Sequence, residues 1–165
     1  LGQKLRWRVS CWALAFGAVM ELERLTGCGA LVHAKTTGRY LWLQRVNSSY
    51  SGTWGIVGGK AEHNESPVQA LAREYQEELG VKFDPVRLIP IEQYTAADRR
   101  FVYHTFYMLV EAEFAPMLND EHSGYCWTRL ESRPTPLHPG VWRIFEYDVI
   151  KNKLQQLEIQ PARTK

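Results

Sequence analysis

Glu74, Glu77 and Glu78 stand three and four residues apart in the run Arg73-Glu74-Tyr75-Gln76-Glu77-Glu78. On a helix that spacing places the three carboxylates on neighbouring turns, where like charges in water cost only a few tenths of a kcal/mol. Taken alone, the run reads as a solvated acidic face. The glycine-rich stretch upstream, Gly55-Ile56-Val57-Gly58-Gly59, changes that reading, because glycine lets the backbone approach a ligand closely and present a carbonyl oxygen. Hard oxygen ligands beside such a loop suit Mg²⁺ or Mn²⁺, which favour octahedral oxygen coordination shared with substrate phosphates. A metal held this way neutralises a diphosphate, polarises the P–O bond and lowers the pKa of water. The expected chemistry is metal-assisted hydrolysis of a phosphoanhydride.

The carboxylates need a helix, and its limits are written in the sequence. Ser66 is a natural N-cap, Pro67 fits the first helical position, Gln69 completes a capping box and Gly80 supplies the stop. Within Pro67 to Leu79, the residues Val68, Leu71, Ala72, Tyr75 and Leu79 keep helical spacing and form a stripe toward a core, with the carboxylates off it, facing a cleft or solvent. Before this helix, the alternating residues of 27–34, the turn Thr36-Thr37-Gly38 and the run Tyr40-Leu41-Trp42-Leu43 predict a β-hairpin. After it, strands are predicted around Val86 to Gln93, Phe101 to Glu113 and Tyr125 to Thr128, with a loop at Asn119 to His122. A Pro-rich connection then leads to one final helix through Trp142, Phe145, Val149, Ile150, Leu154 and Leu157.

These residues together resemble the Nudix box. Gly59 is followed after five residues by Glu65, then after seven more by Arg73-Glu74, then by Glu77-Glu78, Gly80 and Val81. Tyr75 stands where the family prefers an aliphatic residue, and Val57 where a proline is common. The resemblance covers about Leu25 to Leu157 and implies an α/β/α sandwich around a mixed β-sheet. It further implies Glu74 and Glu78 as principal metal ligands, Glu77 as a further ligand directly or through water, and the Gly59 carbonyl as another donor. Glu65 and Arg73 would orient the box through ion pairing, the guanidinium holding crowded negative charge in place. Implied for the reaction is hydrolysis of a nucleoside diphosphate linked to another moiety, with ADP-ribose or a nucleotide sugar as first choice. Dinucleoside polyphosphates and oxidised nucleoside triphosphates are the alternatives, and a nucleotide-sensing module without turnover is the alternative of another class. Homodimers are frequent in the family.

Outside the box, Glu121 lies where many such enzymes place an additional Glu that binds metal or serves as general base, and His122 is its neighbour and rival. Arg45 reads either as a partner of a substrate phosphate or as a surface ion pair. Trp54 reads either as a stacking surface for a nucleobase or as a packing anchor.

A chain of 165 residues has length for one domain, expected over 20–165, and 45% hydrophobic with 23% charged residues is the balance of an ordinary globular protein. A net charge of +2 leaves no electrostatic footprint for duplex nucleic acid, so the expected partner is a nucleotide-type small molecule. Cys11, Cys28 and Cys126 are widely spaced and form no zinc pattern, which points to free thiols in a reducing, cytoplasmic setting. Residues 1–19 carry Lys4, Arg6 and Arg8 ahead of an apolar stretch. They read as a leader outside the fold, either signal-like or upstream of a start at Met20, and too short to span a bilayer.

Overall fold

A computed structural model describes residues 24–46 and 49–159; the leader and Cys11 lie outside them. The chain runs β1 (Leu25–Ala34), β2 (Arg39–Arg45), β3 (Trp54–Gly55), α1 (Pro67–Leu79), β4 (Arg87–Thr95), β5 (Phe101–Val110), β6 (His122–Thr128), a single 3₁₀ turn (Leu130–Ser132), α2 (Pro139–Ile144) and α3 (Asp148–Ile159). The strands form one mixed sheet in the order β3-β2-β1-β5-β4, with β6 added alongside β2. Only β1 and β5 run parallel among the named pairs.

Alternation along the strands assigns the two faces. Cys28, Ala30 and Val32 of β1 and Phe106 and Met108 of β5 pack with Leu71, Tyr75 and Leu79 of α1. The other parity, Leu31, Tyr107 and Leu109, packs with Val141 and Ile144 of α2 and Ile150 and Leu154 of α3. Helices therefore cover both faces, which gives the expected α/β/α sandwich and explains why β5 reads as apolar on both sides. Helix α3 is tied down where Tyr40 donates to Glu158 at 2.6 Å and Lys153 donates to the Pro90 carbonyl at 2.7 Å.

The hairpin closes as expected but opens quickly. β1 and β2 pair only at His33–Tyr40 and Ala34–Arg39, next to the turn at Gly38. Further toward its start β1 pairs instead with the glycine loop: Cys28 N–H donates to the Gly59 carbonyl and Ala30 N–H to the Val57 carbonyl, both at 2.9 Å. The splay of β2 away from β1 is thus what admits the loop into the sheet.

Helix α1 has the predicted bounds, with both hydrogen bonds of the capping box present and Gly80 in the left-handed region at φ 65°. Three expectations need correcting. His122 is the first residue of β6 rather than a loop residue, because the strand continues its pairing with β2 back to Arg45 across a bulge. The final helix is two, broken at Phe145–Tyr147 between α2 and α3, while Phe145 still packs with the same core. The long central strand stops at Val110, and Glu113 beyond it takes a two-pronged ion pair from Arg39, with both nitrogens at 2.6 Å. Replacing Ser66 by Ala removes the cap of α1 and should lower the free energy of unfolding by about 1 kcal/mol, measured by urea denaturation.

Candidate active site

Arg73 is the hub of the carboxylate helix. Its Nε and Nη2 donate to Glu65 at 3.0 and 3.1 Å, Nη1 donates to Glu74 and Glu77 at 3.0 Å each, and Nη2 also reaches the Lys60 carbonyl at 2.9 Å. Glu65, Glu74 and Glu77 are therefore held by one planar, multi-donor cation, which also fastens the glycine loop to the helix. Glu65 is kept below the usual carboxylate range mainly by its hydrogen bond from Arg73, and it steadies the turn by accepting Glu62 N–H at 2.8 Å.

Glu78 is different from its neighbours. Its side chain is only 2% exposed, and Oε2 accepts the Gly58 N–H at 2.9 Å. Burial pushes its pKa up to about 8; the charges of Glu74 and Glu121 push the same way, while Gly58 N–H and Arg45 oppose them. Glu74 is raised chiefly by burial as well, with Arg73 pulling it back and Glu77 and Glu121 adding to the rise. The expectation that the carboxylates face cleft or solvent holds for Glu77, whose side chain is 54% exposed, and fails for Glu78.

Two glycines make this packing sterically feasible. A Cβ on Gly59 would come within 2.2 Å of Glu74 Oε1, and one on Gly58, at φ 143°, within 2.2 Å of the Cys28 carbonyl oxygen. The Gly59 carbonyl already accepts Cys28 N–H and has one lone pair left over.

Glu121 precedes β6 directly. Its carbonyl accepts Val46 N–H and its own N–H donates to Asn119 Oδ1, which orients an exposed side chain on the rim of a cavity of about 750 Å³. Glu74, Glu121, Gly59 and Arg45 all line that cavity. Arg45 ends β2, and its buried Nε has no hydrogen-bond partner among the described residues. The surface ion pair considered from the sequence is not found there. His122 is buried with Nε2 3.8 Å from Glu78 Oε1, too far for a hydrogen bond. Burial and the charge of Arg45 lower its pKa to about 4, so it is neutral near pH 7. Trp54 packs against the core under α2 and α3 and does not line the cavity. The structure thus brings together Glu74, Glu78, Glu121, Gly59 and Arg45, keeps Glu65 and Glu77 on Arg73, and leaves Trp54 outside.

Among the described residues, no three His, Cys, Asp or Glu side chains already converge as a closed metal cage. The donor set nevertheless suits a hard divalent cation. Glu74 and Glu78 are desolvated and both feel the charge of Glu121, and the packing of Glu74 occupies the space a Gly59 Cβ would fill.

The NUDIX domain family model matches residues 24–147, which includes every residue of this constellation. The chain belongs to the NUDIX domain family. This Nudix hydrolase is 29% identical over 93 residues to the 8-oxo-dGTP diphosphatase of Proteus vulgaris, covering 56% of this chain and 82% of that one. It is 32% identical over 106 residues to the CTP pyrophosphohydrolase of Escherichia coli K12, covering 62% and 76%. Its fold matches the crystal structure of a MutT NUDIX hydrolase from Burkholderia pseudomallei with a TM-score of 0.59 at 27% identity, covering 75% of this chain and 97% of the other. Nudix hydrolases are nucleotide pyrophosphohydrolases that generally use divalent metal ions. Among the described residues no helix is long and apolar enough to cross a membrane.

The sequence motif identified Glu78 but not its burial, and it missed Tyr94, Arg143 and Tyr103 on the cavity wall. The buried state has a measurable signature in metal-free protein. A carboxyl whose folded pKa exceeds its unfolded value favours unfolding as it ionises, so Glu78 makes stability fall as pH rises from about 4.5 to about 8. His122, shifted down to about 4 from 6.5, acts in the opposite sense, and its contribution is complete by about pH 6.5. Urea unfolding in EDTA should therefore show stability declining between about pH 6.5 and 8, and Glu78→Gln should flatten the decline. An equally steep decline in the variant would assign it to another group.

Proposed function

We propose that this Nudix hydrolase cleaves a phosphoanhydride bond of a nucleoside triphosphate, releasing a nucleoside monophosphate and pyrophosphate, with Mg²⁺ or Mn²⁺ as cofactor. The observation that carries this reading is the meeting of the Glu74 and Glu121 carboxylates with the cationic Arg45 on the wall of a cavity large enough for a nucleotide, with the buried Glu78 close enough to feel the charge of all three. The triphosphate is preferred to the ADP-ribose or nucleotide sugar expected from the sequence, because two of the relatives are named for 8-oxo-dGTP and CTP.

Glu74 and Glu78 would be the principal metal ligands, with the free lone pair of the Gly59 carbonyl and Glu77, released from Arg73, completing the protein's share. A divalent cation there supplies neutralisation of the phosphate charge and a more acidic water. Arg45 offers its donors to a phosphate oxygen and thereby fixes the chain of phosphates against the carboxylates. Glu121, exposed on the cavity, takes a proton from the attacking water; the water oxygen bonds to phosphorus, the anhydride P–O bond breaks, and its electron pair leaves on pyrophosphate. Glu121 suits this role better than His122, which is buried and held by Asn119 at 3.3 Å. Glu65 and Arg73 position the box without touching the substrate.

Phosphate release after phosphatase coupling, measured over nucleoside triphosphates, dinucleoside polyphosphates, ADP-ribose and nucleotide sugars with Mg²⁺, Mn²⁺ or EDTA, tests the reaction. Metal-dependent turnover of triphosphates is expected. Turnover confined to ADP-ribose or nucleotide sugars would return the reading to the diphosphate-linked class, and binding without turnover of any substrate would make the site a sensor.

Glu78→Gln should remove most turnover while the circular dichroism of the fold is kept, and unchanged activity would overturn its role as a ligand. Glu121→Gln should lower kcat by about a hundredfold at saturating metal. An unchanged kcat would return Glu121 to the status of a loop residue.

A further inference from the structure

The far end of the cavity from the carboxylates has a composition of its own. Arg143 of α2 lies with its guanidinium carbon 3.8 Å from the centre of the Tyr94 ring, and its Nη2 is 3.2 Å from Glu92 Oε1. Side-chain exposure is 28% for Arg143 and 12% for Glu92, so the pair is a partly buried fixture of the wall and not a surface contact. Glu92 is itself steadied by Thr105, whose hydroxyl donates to it at 3.4 Å. Tyr94, Tyr103, Phe101 and Arg143 all line the cavity, with Val141 and Ile144 of α2 opposite.

A bulge in β4 creates this wall. Pro90 pairs with Phe106 and Glu92 with Thr105, so Ile91 is the extra residue. Beyond it, the residues sharing a face with Tyr103 and Thr105 are Tyr94 and Glu92, where an unbroken strand would have brought Ile91 and Gln93. In the same row Tyr103 pairs with Gly27, and Gly27 bridges to Lys60 beside Gly59. Tyr94 therefore stands three strand spacings, about 14 Å, from the glycine loop, a distance that an extended nucleotide can bridge.

Resting on the proposed nucleotide reading, we infer that Arg143, held by Glu92 and Tyr94, reads the base and selects a purine bearing a carbonyl at its six-position over adenine. Glu92 compensates most of the positive charge, so the guanidinium at this end is suited to neutral acceptors and a flat ring more than to another phosphate. Stacking on Tyr94 fixes the guanidinium plane, and its remaining donors are the complement of two adjacent acceptors. Guanine and hypoxanthine present such a pair in O6 and N7, whereas adenine places an amino donor where O6 would be. Phe101, Tyr103 and the apolar residues of α2 supply walls for the ring, as aromatic side chains do for exposed bases.

The test is calorimetric binding of GMP, IMP and AMP to the full chain in EDTA, which needs neither metal nor turnover. IMP shares the O6–N7 edge of GMP and lacks its 2-amino group, so the comparison isolates the edge assigned to Arg143. GMP and IMP should bind alike and about tenfold or more tighter than AMP, as one bidentate pair provides. Arg143→Ala and Arg143→Lys should bring GMP and IMP to the level of AMP and change AMP by less than twofold. Glu92→Gln, which keeps the volume and loosens the clamp, should narrow the preference in the same direction. Equal loss for all three nucleotides would show that Arg143 only pins α2 to β4, and absence of a GMP-over-AMP preference in the unaltered chain would overturn the inference. Discrimination that persists in a chain unable to hydrolyse any triphosphate would leave the base assignment standing while the proposed reaction fell.

Discussion

One guanidinium organises the acidic end of the molecule. Arg73 reaches Glu65, Glu74, Glu77 and the Lys60 carbonyl within about the length of a hydrogen bond, so the glycine loop, the helix N-terminal turn and the carboxylate face become one body. Without such a cation the same carboxylates would repel one another, and the loop would keep only the Gly58 N–H to Glu78 hydrogen bond as its polar tie to α1. Lysine could not replace it, since a single ammonium lacks the planar fork that serves several acceptors at once. The arrangement is also provisional in a useful sense. Carboxylates held by hydrogen bonds from Arg73 keep lone pairs that could be shared with a metal, whereas Glu78, buried and bound to Gly58 N–H, has no equivalent cation of its own.

The second constraint is the close approach of backbone to backbone. β2 leaves β1 after two paired residues, and the freed edge of β1 takes up Val57 and Gly59 instead. Side chains at Gly58 or Gly59 would collide with the Cys28 carbonyl or with Glu74, so the loop sits at a distance that only glycine permits. The same economy appears across the sheet, where Gly27 and Gly29 leave room for Tyr103: a Cβ on Gly27 would be 2.7 Å from its ring. Four glycines on two neighbouring segments thus shape both the carboxylate end and the floor of the cavity.

Much of this was legible in the sequence because it depends on local rules. Ser66, Pro67, Gln69 and Gly80 define α1 by capping alone, and the spacing of Glu65, Arg73, Glu74, Glu77 and Glu78 identifies the box before any contact is known. What was not legible depends on long-range pairing. Pro90 is compatible with an edge strand or a bulge, but Ile89-Pro90-Ile91-Glu92 does not say that Ile91 is the extra residue or that Glu92 and Tyr94 thereby turn toward the cavity. The continuous apolar periodicity from Trp142 to Leu157 concealed the break at Phe145–Tyr147, since both helices bury against the same core. Likewise Glu78 lies off the apolar stripe of α1 but under the glycine loop, and burial by a loop leaves no period in the helix.

The two ends of the cavity solve opposite electrostatic problems, and this divides the labour between them. At the carboxylate end, negative charge is crowded: Glu121 disfavours ionisation of both Glu74 and Glu78, and Glu74 that of Glu78, with Arg73 compensating at Glu74 and Arg45 at Glu78. An added cation would lower the energy there, and on the proposed reading it would also offset the negative charge that a polyphosphate brings. At the aromatic end, Glu92 already neutralises Arg143, so affinity must come from shape, stacking and directed hydrogen bonds. A ligand charged at one end and flat and neutral at the other meets both conditions in one orientation. The reverse orientation would set phosphates against Glu92 and a base against the crowded carboxylates, so on the proposed nucleotide reading the charge layout of the cavity favours one orientation of the substrate before any chemistry begins.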